Sequence, residues 1–166
     1  SQQLCELFLT SAERNEDINI VIDAGGLYFM KEFGCPSNAI ITPHPGEAAM
    51  LLDCSVEELQ NNRLEAAKEL YKRYNCLIIL KGYQTIVFDG EAYQCTDGGP
   101  ALSTAGTGDV LAGLIGSFLA QGLSKIDAAR FSVAIHGAAG DKFSKNKGVR
   151  GLTATKLIKI INEEML

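Results

Sequence analysis

Short apolar runs alternate with longer amphipathic stretches along the chain. The runs are rich in Ile and Leu and have the length of buried strands, which predicts strands over Ile18–Ile22, Ala39–Thr42 and Cys76–Leu80. Elsewhere apolar residues recur at helical spacing, which predicts helices over 2–13, 27–33, 45–53, 56–74, 108–121, 125–144 and 153–164. This alternation is typical of an α/β sandwich with a mostly parallel sheet.

One segment departs from the alternation. Thr85–Phe88 and Ala92–Cys95 flank an Asp-Gly pair that favours a tight turn, so we expect an antiparallel hairpin in the sheet. Residues 96–107 are rich in Gly, Pro, Ser and Thr and predict a loop. Ligands of such sheets bind beyond the carboxyl ends of the strands, so we expect functional residues in the segments that follow them.

Composition and charge exclude several classes of protein. The chain has 166 residues, and 15 Lys and Arg against 20 Asp and Glu give a net charge of −5, which argues against a general affinity for nucleic acid. No apolar run has the length needed to span a bilayer. Five scattered cysteines without C-x-x-C spacing and only two histidines argue against a zinc site and indicate free thiols in a reducing cytoplasm.

The most specific chemistry lies in Gly106-Thr107-Gly108-Asp109, where a loop leads into an apolar helix. The glycines permit backbone conformations closed to other residues, and the unpaired N–H groups of the helix start attract an anion, most naturally a phosphate. No Lys-Ser/Thr pair follows, as it does in a Walker A loop. The carboxylate of Asp109 could instead bind Mg²⁺ or accept the proton of an attacking hydroxyl. The alternative is an ordinary helix start in which Asp109 favours the dipole.

A histidine between two prolines follows the second predicted strand. In Thr42–Glu47 the prolines fix the backbone on both sides of His44, and we expect its imidazole to contact a ligand. A plain strand-to-helix corner explains Pro45 and Glu47, but it leaves the imidazole unexplained.

A Lys-Gly pair follows the third predicted strand. The ammonium group of Lys81 is in reach of a phosphate at this edge of the sheet, and Gly82 lets the backbone approach a ligand closely. The alternative is a solvated lysine in a turn.

Together, the segments TPHPGE, KG-x-x-T and AGTGDVLAG, in this order, resemble the ADP/ATP-dependent NAD(P)H-hydrate dehydratase family. GTGD alone marks the wider superfamily of small-molecule kinases, whereas the segment that contains His44 is more specific to the dehydratases. The resemblance runs from about Val21 to the C-terminus and includes Ala134–Asp141 and Gly151–Ala154. It implies a ribokinase-like α/β/α sandwich of three layers.

The resemblance also implies a repair reaction. Its substrate is NADH or NADPH hydrated at the nicotinamide ring, and ADP or ATP, with Mg²⁺ bridging its phosphates, phosphorylates the ring hydroxyl before phosphate is eliminated. Asp109 would be the general base on the ring hydroxyl, or its close positioning partner, and would contact this substrate together with His44. The residues implied to bind the nucleotide are Lys81, Gly82, Tyr83, Gln84, Thr85, Gly106, Thr107 and Gly108. Family members often assemble, which leaves a homo-oligomer open.

The chain departs from the family pattern in three places. Asp23–Tyr28 reads DAGGLY where the family usually has Asp-Ala-Asp-Ala/Gly-Leu-Asn, so an acidic position and the Asn are missing. Gly98–Ala101 reads GGPA in place of Asn-Pro-Gly-Met. The family domain also begins well before Ser1, so we expect residues 1–166 to be the C-terminal portion of a single longer domain.

Two other functions remain open at this stage. GTGD is compatible with a vitamin or sugar kinase of the same superfamily, although TPHPGE argues against it. The altered Asp23–Tyr28 segment and the missing N-terminal part motivate a third reading, a nucleotide-binding module without catalytic activity.

Overall fold

The computed structural model describes residues 2–15 and 18–164, and its elements follow the predicted order. In this part of the chain the strands are β1 (Ile20–Ile22), β2 (Ala39–Ile41), β3 (Leu77–Leu80), β4 (Ile86–Phe88) and β5 (Ala92–Gln94). The helices are α1 (Gln2–Glu13), α2 (Gly25–Phe33), α3 (Pro45–Leu52), α4 (Val56–Asn61), α5 (Arg63–Tyr74), α6 (Thr107–Ala120), α7 (Lys125–Lys147) and α8 (Ala154–Glu164). A short 3-10 helix spans Pro100–Leu102.

The strands form one sheet in the order β1-β2-β3-β4-β5. β1 pairs with β2 and β2 with β3 in parallel, whereas β3 and β4 are antiparallel. Ile22 lies beside Ile41, and Ile41 beside Ile78, so the parallel strands point their carboxyl ends to the same edge. The predicted α/β class, with a mostly parallel sheet that turns antiparallel at the hairpin, is confirmed.

The chain divides into two compact units, each with a core of its own. The first consists of residues 1–82 and 86–93. Its core joins the parallel strands to the apolar faces of α2, α3 and α5, and each completely buried Leu or Ile contributes roughly 1.5–3 kcal/mol. The completely buried members of this core include Leu27, Met30, Ile41, Leu51, Leu70, Ile78 and Leu80.

The second unit consists of residues 83–85 and 94–166 and contains α6, α7 and α8. Glycines on α7 let the loop that contains Asp97 and Leu102 pack directly against that helix. A Cβ added at Gly137 would lie 2.7 Å from the carbonyl oxygen of Asp97, and one at Gly140 would lie 2.6 Å from Cγ of Leu102. The loop that leads to the glycine turn is therefore packed closely against α7.

The two largest differences from the predicted helices lie in 56–74 and in 125–144. The helix predicted over 56–74 is interrupted at Asn62, whose φ of −139° and ψ of 53° are not helical, so α4 and α5 are separate helices. The helix predicted over 125–144 is α7, which continues to Lys147 and stops at Gly148, whose φ is 79°. Its final turn lacks apolar periodicity, but lysines are favourable beside the carbonyl end of a helix dipole.

Candidate active site

In the first unit, residues that follow three different strands meet around the side chain of Lys81. Its Nζ lies 2.7 Å from Oδ1 of Asp23 and 3.9 Å from Oε2 of Glu47. Its backbone N–H donates to the carbonyl oxygen of Pro43 at 2.9 Å. All three charged side chains are largely buried, so these ion pairs act in an environment where charge interactions are stronger than in water. Lys81 is therefore fixed in place by ion pairs, and it is not the solvated lysine of the alternative interpretation.

His44 forms the N-cap of α3, a task that the sequence analysis missed. Its Nδ1 accepts a hydrogen bond from the backbone N–H of Glu47 at 3.1 Å, and the Glu47 carboxylate accepts one from the backbone N–H of His44 at 2.7 Å. This reciprocal pair is a capping box with His in the place usually taken by Ser or Thr. Because Nδ1 accepts, the proton of the neutral ring lies on Nε2, and the ring remains 56% exposed. The cap explains the imidazole on structural grounds, and its Nε2 lies 3.5 Å from Oε1 of Glu47.

Ala24, directly after β1, has a strained backbone. Its φ of 48° and ψ of −124° lie in a region that residues with a Cβ rarely adopt. Such strain costs on the order of 1–3 kcal/mol and tends to occur at functional sites. Ala24 lies in the segment Asp23–Tyr28, where this chain departs from the usual family pattern.

Arg63, at the start of α5, is a contact of this cluster that no sequence signal indicated. Its Nη2 donates to the carbonyl oxygens of Leu80 and Lys81 at 3.1 and 3.3 Å. Burial lowers the pKa of Arg63 from its ordinary value, although a guanidinium stays charged at neutral pH. A Cβ added at Gly82 would lie 2.9 Å from Nη1 of Arg63, so this glycine gives room to the arginine. The periodic pattern of 56–74 hid the break at Asn62 that starts α5 at Arg63.

Tyr83, Gln84 and Thr85 belong to the second unit. Gln84 has a φ of 53°, and its side-chain oxygen accepts a hydrogen bond from Nε2 of Gln94 at 2.9 Å. The carbonyl oxygen of Thr85 accepts from the backbone N–H of Cys95 at 2.9 Å, and Tyr83 is 77% exposed. The predicted segment Lys81–Thr85 is therefore divided, with Lys81 and Gly82 in the first unit.

The glycine turn has the geometry that the sequence predicted. Gly106 is the N-cap of α6 with a φ of 86°, in the left-handed region that favours glycine. Thr107 is buried, and its Oγ1 lies 2.6 Å from the carbonyl oxygen of Leu102 and 2.8 Å from that of Thr104. The hydroxyl of Thr107 therefore stabilises the turn, and its backbone N–H also stays within the turn, where it donates to the carbonyl oxygen of Thr104 at 3.3 Å.

Asp109 lies in the first turn of α6 and is exposed. Among residues 2–15 and 18–164, its carboxylate has no hydrogen-bond or ion-pair partner, and the N–H groups of Gly108 and Asp109 have no backbone acceptor. Asp109 and Gly106 line a cavity of about 410 Å³ whose other walls are largely apolar. Those walls include Leu114, Ser117, Ala154 and Ile158. An uncommitted carboxylate beside unpaired N–H groups can accept a proton next to a bound anion.

The described part of the chain, residues 2–15 and 18–164, holds no group of three His, Cys, Asp or Glu side chains arranged to bind a metal ion. Its helices are each too short or too polar to cross a bilayer.

A family model described as NAD(P)H-hydrate dehydratase matches residues 2–163. The chain belongs to this family. It is 43% identical over 145 residues to the bifunctional NAD(P)H-hydrate repair enzyme of Vibrio cholerae, covering 86% of this chain and 29% of that protein. It is 42% identical over 127 residues to the ADP-dependent (S)-NAD(P)H-hydrate dehydratase of Neisseria meningitidis, covering 75% of this chain and 43% of that protein.

Solved structures of the family have the same fold. The Bacillus subtilis ADP/ATP-dependent NAD(P)H-hydrate dehydratase, co-crystallised with ATP and Mg²⁺, matches with a TM-score of 0.81 and 33% identity over 88% of this chain and 53% of that one. This likeness confirms the ribokinase-like fold that the sequence resemblance implied. The chain spans less than half the length of these two sequence relatives and about half of this structure.

Proposed function

We propose that this chain carries the chemistry of a nucleotide-dependent dehydration of hydrated NADH and NADPH, which restores the reduced coenzymes. The observation that carries the proposal is the uncommitted carboxylate of Asp109 beside the unpaired N–H groups at the start of α6. Membership of the dehydratase family over residues 2–163 supports the choice of substrate.

The chemistry explains why kinase machinery serves an elimination. In the first step the hydroxyl oxygen of the hydrated ring attacks the terminal phosphorus of ADP or ATP, the bond to the shortened nucleotide breaks, and the hydroxyl proton passes to Asp109. In the second step the carbon–oxygen bond breaks and phosphate leaves with the bonding electrons. The neighbouring ring carbon loses a proton, and the double bond of the dihydronicotinamide forms. Hydroxide is a poor leaving group, whereas phosphate is a good one.

Charge on the transferring phosphoryl group is stabilised by the α6 N-terminus. The N–H groups of Gly106 and Gly108 would donate to its oxygens, and the dipole of α6, a helix of 14 residues, adds to their pull. Mg²⁺ bound together with the nucleotide would neutralise further charge on the phosphates. The open backbone of the turn, with Gly106 at a φ of 86°, fits such a ligand.

We further propose ligand-binding roles for His44 and for the segment Lys81–Thr85. His44 presents Nε2–H from the rigid N-cap of α3 and would donate to the hydrated nicotinamide nucleotide. Lys81 through Thr85 would line the nucleotide site, with Lys81 positioned by its ion pair with Asp23. The cytoplasm is the proposed compartment, because five scattered cysteines without C-x-x-C spacing are typical of a reducing environment.

The reaction is tested by incubating hydrated NADH with the protein, Mg²⁺ and either ADP or ATP. We expect NADH to form, as measured by the absorbance of its dihydronicotinamide ring, and an equal amount of phosphate to be released. Asp109→Asn should lower the rate by about 10²–10⁴-fold because it removes the general base. Asp127→Asn is the matched control, since Asp127 also lies in the first turn of a helix of the same unit, and it should change the rate less than about twofold. Phosphorylation of a vitamin or sugar alcohol without repair of hydrated NADH would exclude the proposal in favour of a kinase.

A nucleotide-binding module without catalytic activity is the second candidate. It is motivated by the altered Asp23–Tyr28 segment and by the limited share of its relatives that the chain spans. Binding of ATP by the wild-type protein and the Asp109→Asn variant, with no turnover in either, would favour this candidate.

A further inference from the structure

A second cavity of the second unit lies between the last turns of α7 and one side of α8, along which Lys156, Lys159 and Glu163 line it. Its volume is about 410 Å³, within the range of small-molecule sites. α8 separates it from the cavity beside Asp109. Ala154 and Ile158 line the cavity beside Asp109, whereas Lys156 and Lys159 line this one.

The walls of this second cavity are strongly basic. Five cationic side chains surround it, against a single carboxylate, that of Glu163. The cations are Lys142, Lys147, Arg150, Lys156 and Lys159. They make up 5 of the 15 Lys and Arg residues of a chain whose net charge is −5. Glu163 lies 3.9 Å from Nζ of Lys159, so the side chains that line the cavity carry an excess of positive charge, which attracts anions.

The floor of the cavity is apolar and includes an aromatic ring. Phe143 is buried, and Ile160 beside it is partly buried in the core of the same unit. The ammonium group of Lys156 lies 5.9 Å from the centroid of the Phe143 ring and donates to the carbonyl oxygen of Gly151 at 2.7 Å. These contacts fix one cation at the junction between the floor and the charged rim.

We infer that this basic cavity binds a phosphorylated ligand of nucleotide size that carries an aromatic ring. The ring would lie on the apolar floor formed by Phe143 and Ile160, and the phosphates would meet the cations of the rim. Charge-assisted hydrogen bonds to Arg150 and the lysines supply the attraction to phosphate. The apolar floor supplies affinity for the ring and distinguishes this ligand from a bare polyanion. This site is additional to the glycine turn at Gly106.

The test is a titration of the full chain with ATP, followed by amide NMR at constant salt. We expect the amide signals of Phe143 and Gly151 to shift with an affinity of their own, separable from shifts at Gly106 and Gly108. The double variant Lys147→Gln/Arg150→Gln should weaken the binding seen at Phe143 and Gly151 by about tenfold or more. Its matched control is Lys145→Gln/Lys72→Gln, which removes the same charge from α7 and α5 outside the cavity and should change that binding less than about twofold.

The second probe is tripolyphosphate, which carries the charge without the ring. We expect it to bind at Phe143 and Gly151 at least about fivefold more weakly than ATP, because it gains nothing from the apolar floor. Equal affinity of the two probes would overturn the inference in favour of a bare anion site. No shift at these amides, or equal weakening by the control variant, would overturn it as well.

Discussion

His136 donates a hydrogen bond from Nε2 to the carbonyl oxygen of Thr107 at 2.9 Å. A carbonyl oxygen only accepts, so the ring nitrogen that faces it must carry the proton. The bond links the middle of α7 to the first residue of α6, whose N-cap is Gly106. The position of the glycine turn therefore depends on a side chain nearly thirty residues away in the sequence.

Replacement of His136 should destabilise the turn. We expect His136→Ala to lower the free energy of unfolding by about 1–3 kcal/mol, because the Thr107 carbonyl loses its donor next to a buried side chain. The side-chain amide of Gln can place an N–H group close to the position of the histidine Nε2, so His136→Gln should recover part of this loss. Urea denaturation of both variants measures the effect. Equal losses in the two variants would show that packing, and not the hydrogen bond, is what His136 contributes.

Substitutions of His44 should separate its two roles. His44→Ala removes the cap of α3 and should cost about 0.5–2 kcal/mol of stability, whereas Asn is a good N-cap and His44→Asn should cost little. If Nε2 also contacts the substrate, both variants should have a raised KM for hydrated NADH. Thermal unfolding and steady-state kinetics of the two variants give the comparison. An Asn variant with wild-type kinetics would assign His44 to helix capping alone.

Asp53 should make stability depend on pH in the acid range. Hydrogen bonds and ion pairs with Lys31, and then with Arg73, hold the pKa of the Asp53 carboxyl below its ordinary value. A carboxyl whose pKa is lower in the folded state contributes stability above its unfolded pKa of about 3.9 and loses it as the pH falls through the folded pKa.

Asp53→Asn is the variant that tests this dependence. Asn tolerates the left-handed φ of 58° found at this position, so the variant removes the charge without adding strain. We expect its melting temperature to be below that of the wild type at neutral pH and to approach it below about pH 3. A difference that stays constant with pH would contradict this assignment.

Asn38 should be needed for the stability of the first unit. Its buried side-chain amide donates to the carbonyl oxygens of Ala12 and Asn15 at 3.0 and 3.1 Å and also to that of Ile18. Asn38→Asp puts an acceptor where these carbonyls need a donor and should cost about 1–3 kcal/mol or more. Asn19→Ala, an exposed control nearby, should change stability by less than about 0.5 kcal/mol. Chemical denaturation measures the free energy of unfolding of both variants. Similar losses of stability in the two would contradict the role of Asn38.

Local patterns predicted the parts of the molecule that depend on local physics. Buried strands read as apolar runs, which is why β1, β2 and β3 were found within two residues of their bounds. The glycine turn could also be predicted from the sequence. Gly106 has a positive φ, and this local requirement does not depend on what α6 packs against. Contacts between distant residues left no such pattern. The bond from His136 to Thr107 and the two bonds from Arg63 to Leu80 and Lys81 join segments whose spacing in the sequence says nothing about their distance.

Arg63, which donates to carbonyl groups at the end of β3, limits how the Lys-Gly motif can be reused in a designed protein. Leu80 and Lys81 present carbonyl oxygens that Arg63 satisfies, and Gly82 leaves the room that its guanidinium occupies. A chimera that received only residues 81–85 would bring the carbonyl group of Lys81 without its donor. The smallest portable piece of this edge therefore starts no later than Gln60, whose side chain accepts from Nη1 of Arg63 at 3.0 Å, and runs through Gly82.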